Sequence, residues 1–552
     1  MGGNVTQKKV KPETLCACIF GLFLLVFYLS IFYINFSKNP TYYDSDMYCD
    51  IQLAKEIWRQ KTLFPDGWVF GNQVSVVSTP VLAALVYGIV GNGFTAMAIA
   101  SSIMAVLVFA SFDFMLRPIA KTYERLCAFT AMMGLIIANG HIANDVGGMQ
   151  LIFTMASYYS CYLITAFLAF GCYIRARENK TEKAFAVILI LTCALSFGTG
   201  MQSLRQTEFM TVPLIVCEGL FILSDIIKNK NLKSFKTKSF KTSFLISVSN
   251  IAGLIAIRLI DFEQITIFND SGRTGLSGIK EDLLRSAVRF TGVFFQTDSE
   301  NKSLPGLLAG GLFAVAFAAA VIFVIRDFAK NKKADSVLII MFLLIVSFAE
   351  TYILDIFTNM RIRGIYYFMF YPLFGLAVMY VIKRMKSKKI IIALMLSVIS
   401  VAAFKVNAVP AIKETALKTD WQVYCDVSDF VLDNGYDTVY TSWDTGSHFA
   451  AASDDKFNCG FWKNKDGVAF VPEDYLCNPS VFGEENNSKA VYILREKQLE
   501  EWEETAEEYG IEVNLLGSFN GESDNFYVYK ASESVCLQSK EKHYDLITRD
   551  SR

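Results

Sequence analysis

The sequence predicts a mainly α-helical, polytopic membrane protein: a bundle of about eleven spans, followed by a small extracytoplasmic α/β domain. Three observations predict it. Apolar residues make up 53% of the chain, and they gather in blocks of roughly 17–23 residues, the length that crosses a hydrocarbon core about 30 Å thick. Lysine and arginine crowd into every second connecting segment. After Lys405 the blocks stop and the chain turns polar and charged.

The blocks lie at residues 15–36, 94–116, 126–140, 151–173, 184–200, 209–227, 244–260, 304–325, 336–354, 364–382 and 388–405. The first, Leu15 to Ile34, is too long for the apolar core of a cleavable signal and lacks a small-residue cleavage site, so it reads as an anchor. Basic residues then set the orientation. Lys8–Lys11, Arg117–Arg125, Arg175–Lys183, Lys228–Lys241, Arg326–Lys333 and Lys383–Lys389 form one set of short loops. The alternate loops are longer yet hold about half as many bases, so the basic set faces the cytoplasm. The apolar stretch Val76–Val90 cannot be a full span without inverting every later loop. It is expected to be a re-entrant or interfacial helix inside one long first outer loop, residues 37–93, where surrounding protein would bury it.

This organisation divides the chain into a membrane region, residues 1–405, and an outer domain, residues 406–552. Strand-like runs occur in the latter at Asp437–Ser442, Ala490–Leu494, Glu512–Ser518 and Phe526–Lys530, with a charged helix over Lys497–Tyr509 stopped by Gly510. An odd number of spans from a cytoplasmic N-terminus places this domain outside the cell membrane. Cys425, Cys459, Cys477 and Cys536 then sit where one or two disulfides could form, with the pairing unassigned. Cys16, Cys18, Cys161 and Cys172 lie in apolar blocks as small hydrophobes. A net charge of −1 gives no footprint for nucleic acid. Aromatics at 14%, with 46 Phe and 25 Tyr, suit lipid-facing and interfacial positions.

Chemistry concentrates at the outer membrane edge. The first outer loop opens with Asp44, Ser45, Asp46, Tyr48 and Asp50, carboxylates within a short reach of a membrane exit. Such a group can serve as a general base on a hydroxyl or as a metal ligand beside a phosphate; acidic loops are also commonly just solvated. The second outer loop carries His141, Asn144 and Asp145 before Gly147-Gly148, a segment that is equally ordinary turn chemistry. Arg205 stands just before Phe209, and Arg361 and Arg363 precede Tyr366 and an apolar block. Arginine is disfavoured on the outer side, and a guanidinium matches phosphate oxygens in bidentate fashion; snorkelling to lipid headgroups is the competing account.

Together these features resemble the GT-C superfamily of membrane glycosyltransferases, which includes protein O-mannosyltransferases and aminoarabinose transferases. Asp44-Ser45-Asp46 with Tyr48 matches the family's acidic motif, and Leu63-Phe64-Pro65 the stretch after the loop's first helix. Asp145 falls where some members place a second acid. Arg361-Ile362-Arg363-Gly364 with Tyr366 matches a late arginine-bearing segment, and Arg205 before Val212-Pro213-Leu214 a looser one. The family's His-Pro-Pro segment is only Ser78-Thr79-Pro80 here, and Ser45 splits the acidic pair, so Asp44 and Asp46 both stand as the base. The resemblance covers about residues 1–405. It implies transfer of a sugar, with inversion, from a polyprenyl-phosphate donor to an acceptor hydroxyl on a glycan, lipid or protein, for cell-surface glycan modification. Asp44, Asp46 and Asp145 would be catalytic, Arg205, Arg361 and Arg363 would hold the donor phosphate, and Tyr48, His141 and Tyr366 would touch substrate. No cofactor is required; Asp46 and Asp145 are where a divalent metal, Mg or Mn, would sit. A transporter or flippase of lipid-linked sugars is the main alternative. It predicts internal repeats and ionisable residues inside the spans, and the sequence shows no repeat and few such residues. A non-enzymatic membrane receptor is the third reading.

Overall fold

The structure, a computed structural model, describes residues 11–37, 45–71, 73–139, 156–180, 184–230, 233–260, 279–295, 304–331, 335–357, 367–385, 388–409, 413, 420–465 and 467–543. It is mainly α. Among the described residues nine helices are long and apolar enough to cross a membrane, and one small mixed sheet lies towards the C-terminus. The chain forms two compact units: Met1–Phe32, Met104–Leu259 and Asp270–Lys413 in one, and Tyr33–Ile103, Ile260–Asn269 and Glu414–Arg552 in the other.

The helices begin with α1 (Pro12–Ser37), α2 (Ser45–Gln60), α3 (Thr79–Val90), α4 (Gly93–Leu116), α5 (Thr122–Asn139), α6 (Ala156–Arg177) and α7 (Phe185–Gln202). They continue with α8 (Val212–Asn229), α9 (Lys238–Arg258), α10 (Ile279–Phe295), α11 (Leu304–Asn331), α12 (Ser336–Phe357), α13 (Phe370–Arg384) and α14 (Lys389–Ala403). Two expected spans, α5 and α13, are not among the nine. Both are well enclosed by their neighbours: Cys127–Ala138 and Phe370–Tyr380 are buried without a break. Helix α13, at 15 residues, is too short, and α5 opens on the polar run Thr122-Tyr-Glu-Arg125. Glycine lets their backbones meet, since a Cβ on Gly375 would stand 2.5 Å from Ala128 O. The same device seals α7 against α9, where a Cβ on Gly253 would stand 2.0 Å from Phe197 O, the small-residue packing by which membrane helices approach closely.

The basic loops come together at one end of this unit. Lys389 pairs with Glu13 at 2.7 Å, Lys383 Nζ donates to Ile119 O at 2.8 Å, Lys180 Nζ donates to Pro118 O at 3.1 Å, and Arg125 pairs with Asp113 at 2.6 Å. Segments that the charge pattern assigns to one face are therefore neighbours in space. Reporter fusions after Lys241 and after Lys405 are expected to report opposite sides of the membrane; the same side for both would overturn the orientation.

The second unit combines Tyr33–Ile103 with the C-terminal residues. Here α15 (Trp421–Asp433), β1 (Thr438–Ser442), α16 (Trp443–Ala452), β2 (Asn458–Lys465), β3 (Val468–Pro472), β4 (Ala490–Arg495), α17 (Leu499–Tyr509), β5 (Val513–Asn520), β6 (Asn525–Ala531) and α18 (Val535–Lys542) follow one another. The sheet order is β3-β2-β1-β4-β6-β5, with β1 parallel to both β2 and β4 and the remaining pairs antiparallel. The four strands legible in the sequence are β1, β4, β5 and β6. The pair β2–β3 is not foreseen, because Asn458-Cys-Gly-Phe-Trp-Lys-Asn-Lys465 offers no alternation. Gly510, at φ +70°, ends α17 as expected.

All twelve cysteines are free thiols, so none of the disulfides that Cys425, Cys459, Cys477 and Cys536 could form is present. The last three are buried against different neighbours: Cys477 Sγ donates to Glu473 O at 2.8 Å, and the backbone of Cys536 meets the Tyr492 hydroxyl. Helix α3 is the segment expected not to span. Its 12 residues, with Pro80 in the first turn and Gly91 at φ +70° after the last, reach only about 18 Å. Leu85 and Ile89, one turn apart, are 61% and 86% exposed, an apolar stripe suited to a bilayer interface.

Candidate active site

Helix α2 carries the first candidate site. Its apolar positions Met47, Tyr48, Ile51, Leu53, Ala54 and Ile57 are all buried, which fixes the helix by one face. Ser45 begins it, the hydroxyl donating to Trp443 O at the start of α16. Asp46 follows, half-buried in the first turn, where unpaired amides and the helix dipole favour a negative charge. Asp50, one turn further on, is 6% exposed. It is the more buried of these two carboxylates, a difference that their shared place in the loop does not reveal. Tyr48 is fully buried, stacked on Phe94 at 5.9 Å between ring centroids and edge-on to Phe461 at 6.0 Å. In this position it holds α2 to α4 and to the sheet.

The rest of the loop is tied down on the sheet side. Gln60 exchanges hydrogen bonds with the Asp66 backbone, and Val69 N donates to Cys477 O at 2.8 Å. The strongest tie is Asp455. Its side chain is 3% exposed, pairs with Lys55 Nζ at 2.9 Å and accepts from Gly93 N at 2.6 Å. One carboxylate of the C-terminal residues thus holds both α2 and the start of α4.

An open α/β sheet commonly binds ligands where strand order reverses, beyond the carboxyl ends of the strands. That place, between β1 and β4, is filled by side chains. Arg495 at the end of β4 pairs with Asp444 in the first turn of α16, and Ser442 Oγ donates to the same carboxylate at 2.8 Å. Behind them the His448 ring packs on Tyr424 at 5.1 Å. Burial, reinforced by Arg495 and opposed by Asp444, pulls His448 down to about 4. An unfolded His takes up its proton near pH 6.5, so between pH 6.5 and about 4 the unfolded chain binds more protons than the folded one. Stability is therefore expected to fall as pH drops through that window, by on the order of 3 kcal/mol. Acid unfolding of the full chain should show this slope, and His448→Gln should flatten it.

In the first unit, Arg205 sits between α7 and the π-helical turn Thr207–Thr211 that opens α8. Its backbone N–H donates to Ser203 Oγ at 3.2 Å, and its guanidinium lies 5.5 Å from the Tyr159 ring. Asn250 Oδ1 accepts from Thr207 and Thr211 at 2.7 and 3.0 Å and so fixes the turn. Ser347 of α12 donates to Phe209 O at 2.7 Å. These ties bring Glu208 within electrostatic reach of Arg205 on one side and of Glu350 on the other. Both acids lie inside apolar helices and were not singled out in the sequence. The available signal was the cost of a carboxylate there. Other acids in the spans have evident partners: Glu218 accepts from Tyr173 at 2.5 Å and Ser239 at 3.0 Å, and Asp327 pairs with Arg384 at 3.2 Å.

Asp44, His141, Asp145, Arg361, Arg363 and Tyr366 lie outside the described residues. Among the described residues no group of three or more His, Cys, Asp or Glu is arranged to hold a metal.

No protein-family model matches the sequence, and no curated protein does. The structure is similar to that of ArnT from Cupriavidus metallidurans bound to undecaprenyl phosphate. The TM-score is 0.53 at 10% identity, over 93% of this chain and 98% of that one. Its apo state is similar at a TM-score of 0.41 and 10% identity, over 92% and 97%. The chain has the GT-C fold.

Proposed function

We propose that this GT-C-fold chain is a membrane glycosyltransferase that moves a sugar from a polyprenyl-phosphate donor to an acceptor hydroxyl at the outer membrane surface. The observation that carries the reading is its likeness, over almost the whole of both chains, to a transferase solved with undecaprenyl phosphate bound. The acidic start of α2 supports it. Asp44 or Asp46 takes the proton from the acceptor hydroxyl, and the oxygen attacks the anomeric carbon from the face opposite the phosphate. The bond from sugar to phosphate breaks with inversion and polyprenyl phosphate departs. Arg361, Arg363 and Arg205 neutralise the departing phosphate, while Asp145, His141 and Tyr366 complete the substrate contacts. A divalent cation on Asp46 and Asp145 would add positive charge near the phosphate, and no step above runs through it.

The test is loss of sugar from a polyprenyl-phosphate sugar supplied to the purified chain in lipid. Arg363→Ala, and to a smaller degree Arg361→Ala and Arg205→Ala, is expected to weaken use of the donor about tenfold to a hundredfold, since hydrogen bonds to charged groups contribute roughly 1.5–3 kcal/mol. An unchanged Arg361/Arg363 double variant would leave snorkelling as the better account. The transporter alternative is favoured by one observation, the carboxylates Glu208 and Glu350 inside the spans. Lipid-linked sugar that crosses the membrane and keeps its sugar would select it.

A further inference from the structure

The second unit holds a cleft of about 520 Å³ for which the proposed transfer chemistry has no use, a size within the roughly 300–1,000 Å³ of small-molecule sites. One wall is a single face of α2, where Gln52, Lys55, Glu56 and Arg59 follow Tyr48 at helical spacing. The other wall comes from Asp455–Cys459 ahead of β2 and from Asn478–Asn486 ahead of β4. Buried aromatic rings, Tyr48, Trp68 and Phe457, form its floor.

The lining is polar without a dominant charge. Lys55 is matched by Asp455 at 2.9 Å and Arg59 by Glu56 at 2.6 Å, so the cleft selects neither an anion nor a cation. Four carboxamides face it, Gln52, Asn458, Asn478 and Asn486, each offering a donor and an acceptor side by side. Several are held in place: Gln52 Nε2 donates to Cys459 O at 2.8 Å, Asn486 Nδ2 to Val481 O at 3.1 Å, and Asn478 Oδ1 accepts from Ser480 N at 3.1 Å. Fixed amides over an aromatic floor suit a neutral ligand dense in vicinal hydroxyl groups. The cleft runs for about 16 Å along α2, from Tyr48 to Arg59 at 1.5 Å per residue, leading away from Asp46.

We infer that this cleft binds carbohydrate, namely neutral sugar residues of the acceptor that lie beyond the hydroxyl receiving the transferred sugar. The inference rests on the glycosyltransferase reading for its role but not for its binding. Asn458 and Glu485 are exposed lining residues whose side chains make no hydrogen bond or ion pair among the described residues, so replacing them leaves the fold intact.

The experiment measures binding of the delipidated neutral oligosaccharide fraction of the source cell's own surface glycan to the full chain in lipid nanodiscs. It compares wild type, Asp46→Asn and the double variant Asn458→Ala/Glu485→Gln. Saturable binding is expected for wild type and for Asp46→Asn, with at least tenfold weaker binding by the double variant. No binding by wild type, or equal binding by the double variant, overturns the carbohydrate cleft. Sugar transfer measured in parallel separates the two ideas: oligosaccharide binding with no transfer by wild type sinks the enzyme reading and leaves the cleft standing, whereas transfer without binding does the reverse.

Discussion

Asp46→Asn is expected to lower sugar transfer by about 10²–10⁴-fold, the usual contribution of general-base assistance, with expression and unfolding temperature unchanged. The side chain is half-buried in the first turn of α2, and that helix is fixed by a fully buried face. Asn keeps the shape and a hydrogen-bonding oxygen but cannot accept the acceptor's proton. Asp44, which keeps the family spacing to Tyr48, is the first choice as base, and Asp46 would then orient the acceptor, so that either role slows the Asp46 variant. Initial rates of the two single variants and of the double variant decide between them: the base is the residue whose single loss equals the double. Near-full transfer by the double variant would remove the proposed mechanism and put the transporter reading first. Asp50 is no neutral control, because its burial makes any change there a test of folding as well.

Asp455→Ala is expected to be the most destabilising single change in the second unit. The Asp455 side chain is 3% exposed and accepts from both Lys55 and the Gly93 amide; losing an acceptor that leaves donors unsatisfied costs about 1–3 kcal/mol. Transfer activity should fall with it, since α2 loses the tie at Lys55. Thermal unfolding of the full chain in lipid checks the first effect and initial rates the second. Replacing both partners by apolar residues, Lys55→Met with Asp455→Leu, should recover part of the stability, because the half-buried ammonium is then not left without its partner. An unchanged unfolding midpoint for Asp455→Ala would show that the tie contributes nothing.

Much of the architecture was legible locally. Block length located nine helices that are long and apolar enough to cross a membrane among the described residues; the blocks at α5 and α13 are helical but fall short of that length or composition. Alternation of basic loops ruled out a span at Val76–Val90, and α3 is indeed too short to be one. In the C-terminal residues, strand patterning located β1, β4, β5 and β6, whereas β2 was hidden by Gly460 and its polar end. The candidate site was legible only in its acids and arginines. Arg205 and Asp46 could be picked out by residue type and place, but Glu208 and Glu350 acquire interest only when the bond from Ser347 to Phe209 O joins their helices.

By itself, then, the sequence determined what depends on neighbours along the chain: which segments are apolar enough to enter a bilayer, which loops share a face, and where a helix must stop at Gly510. Only the tertiary structure decided what depends on residues far apart. Asp455 meets Lys55 across 400 positions and Gln52 meets Cys459 across 407, so the first outer loop and the C-terminal strands form one unit although nothing in either segment announces the other. The same distance hid the free state of the cysteines, since a thiol's partner is set by which core it is buried in. Short-range periodicity carries no record of such pairings, because each is the outcome of packing that exists only once the chain has folded.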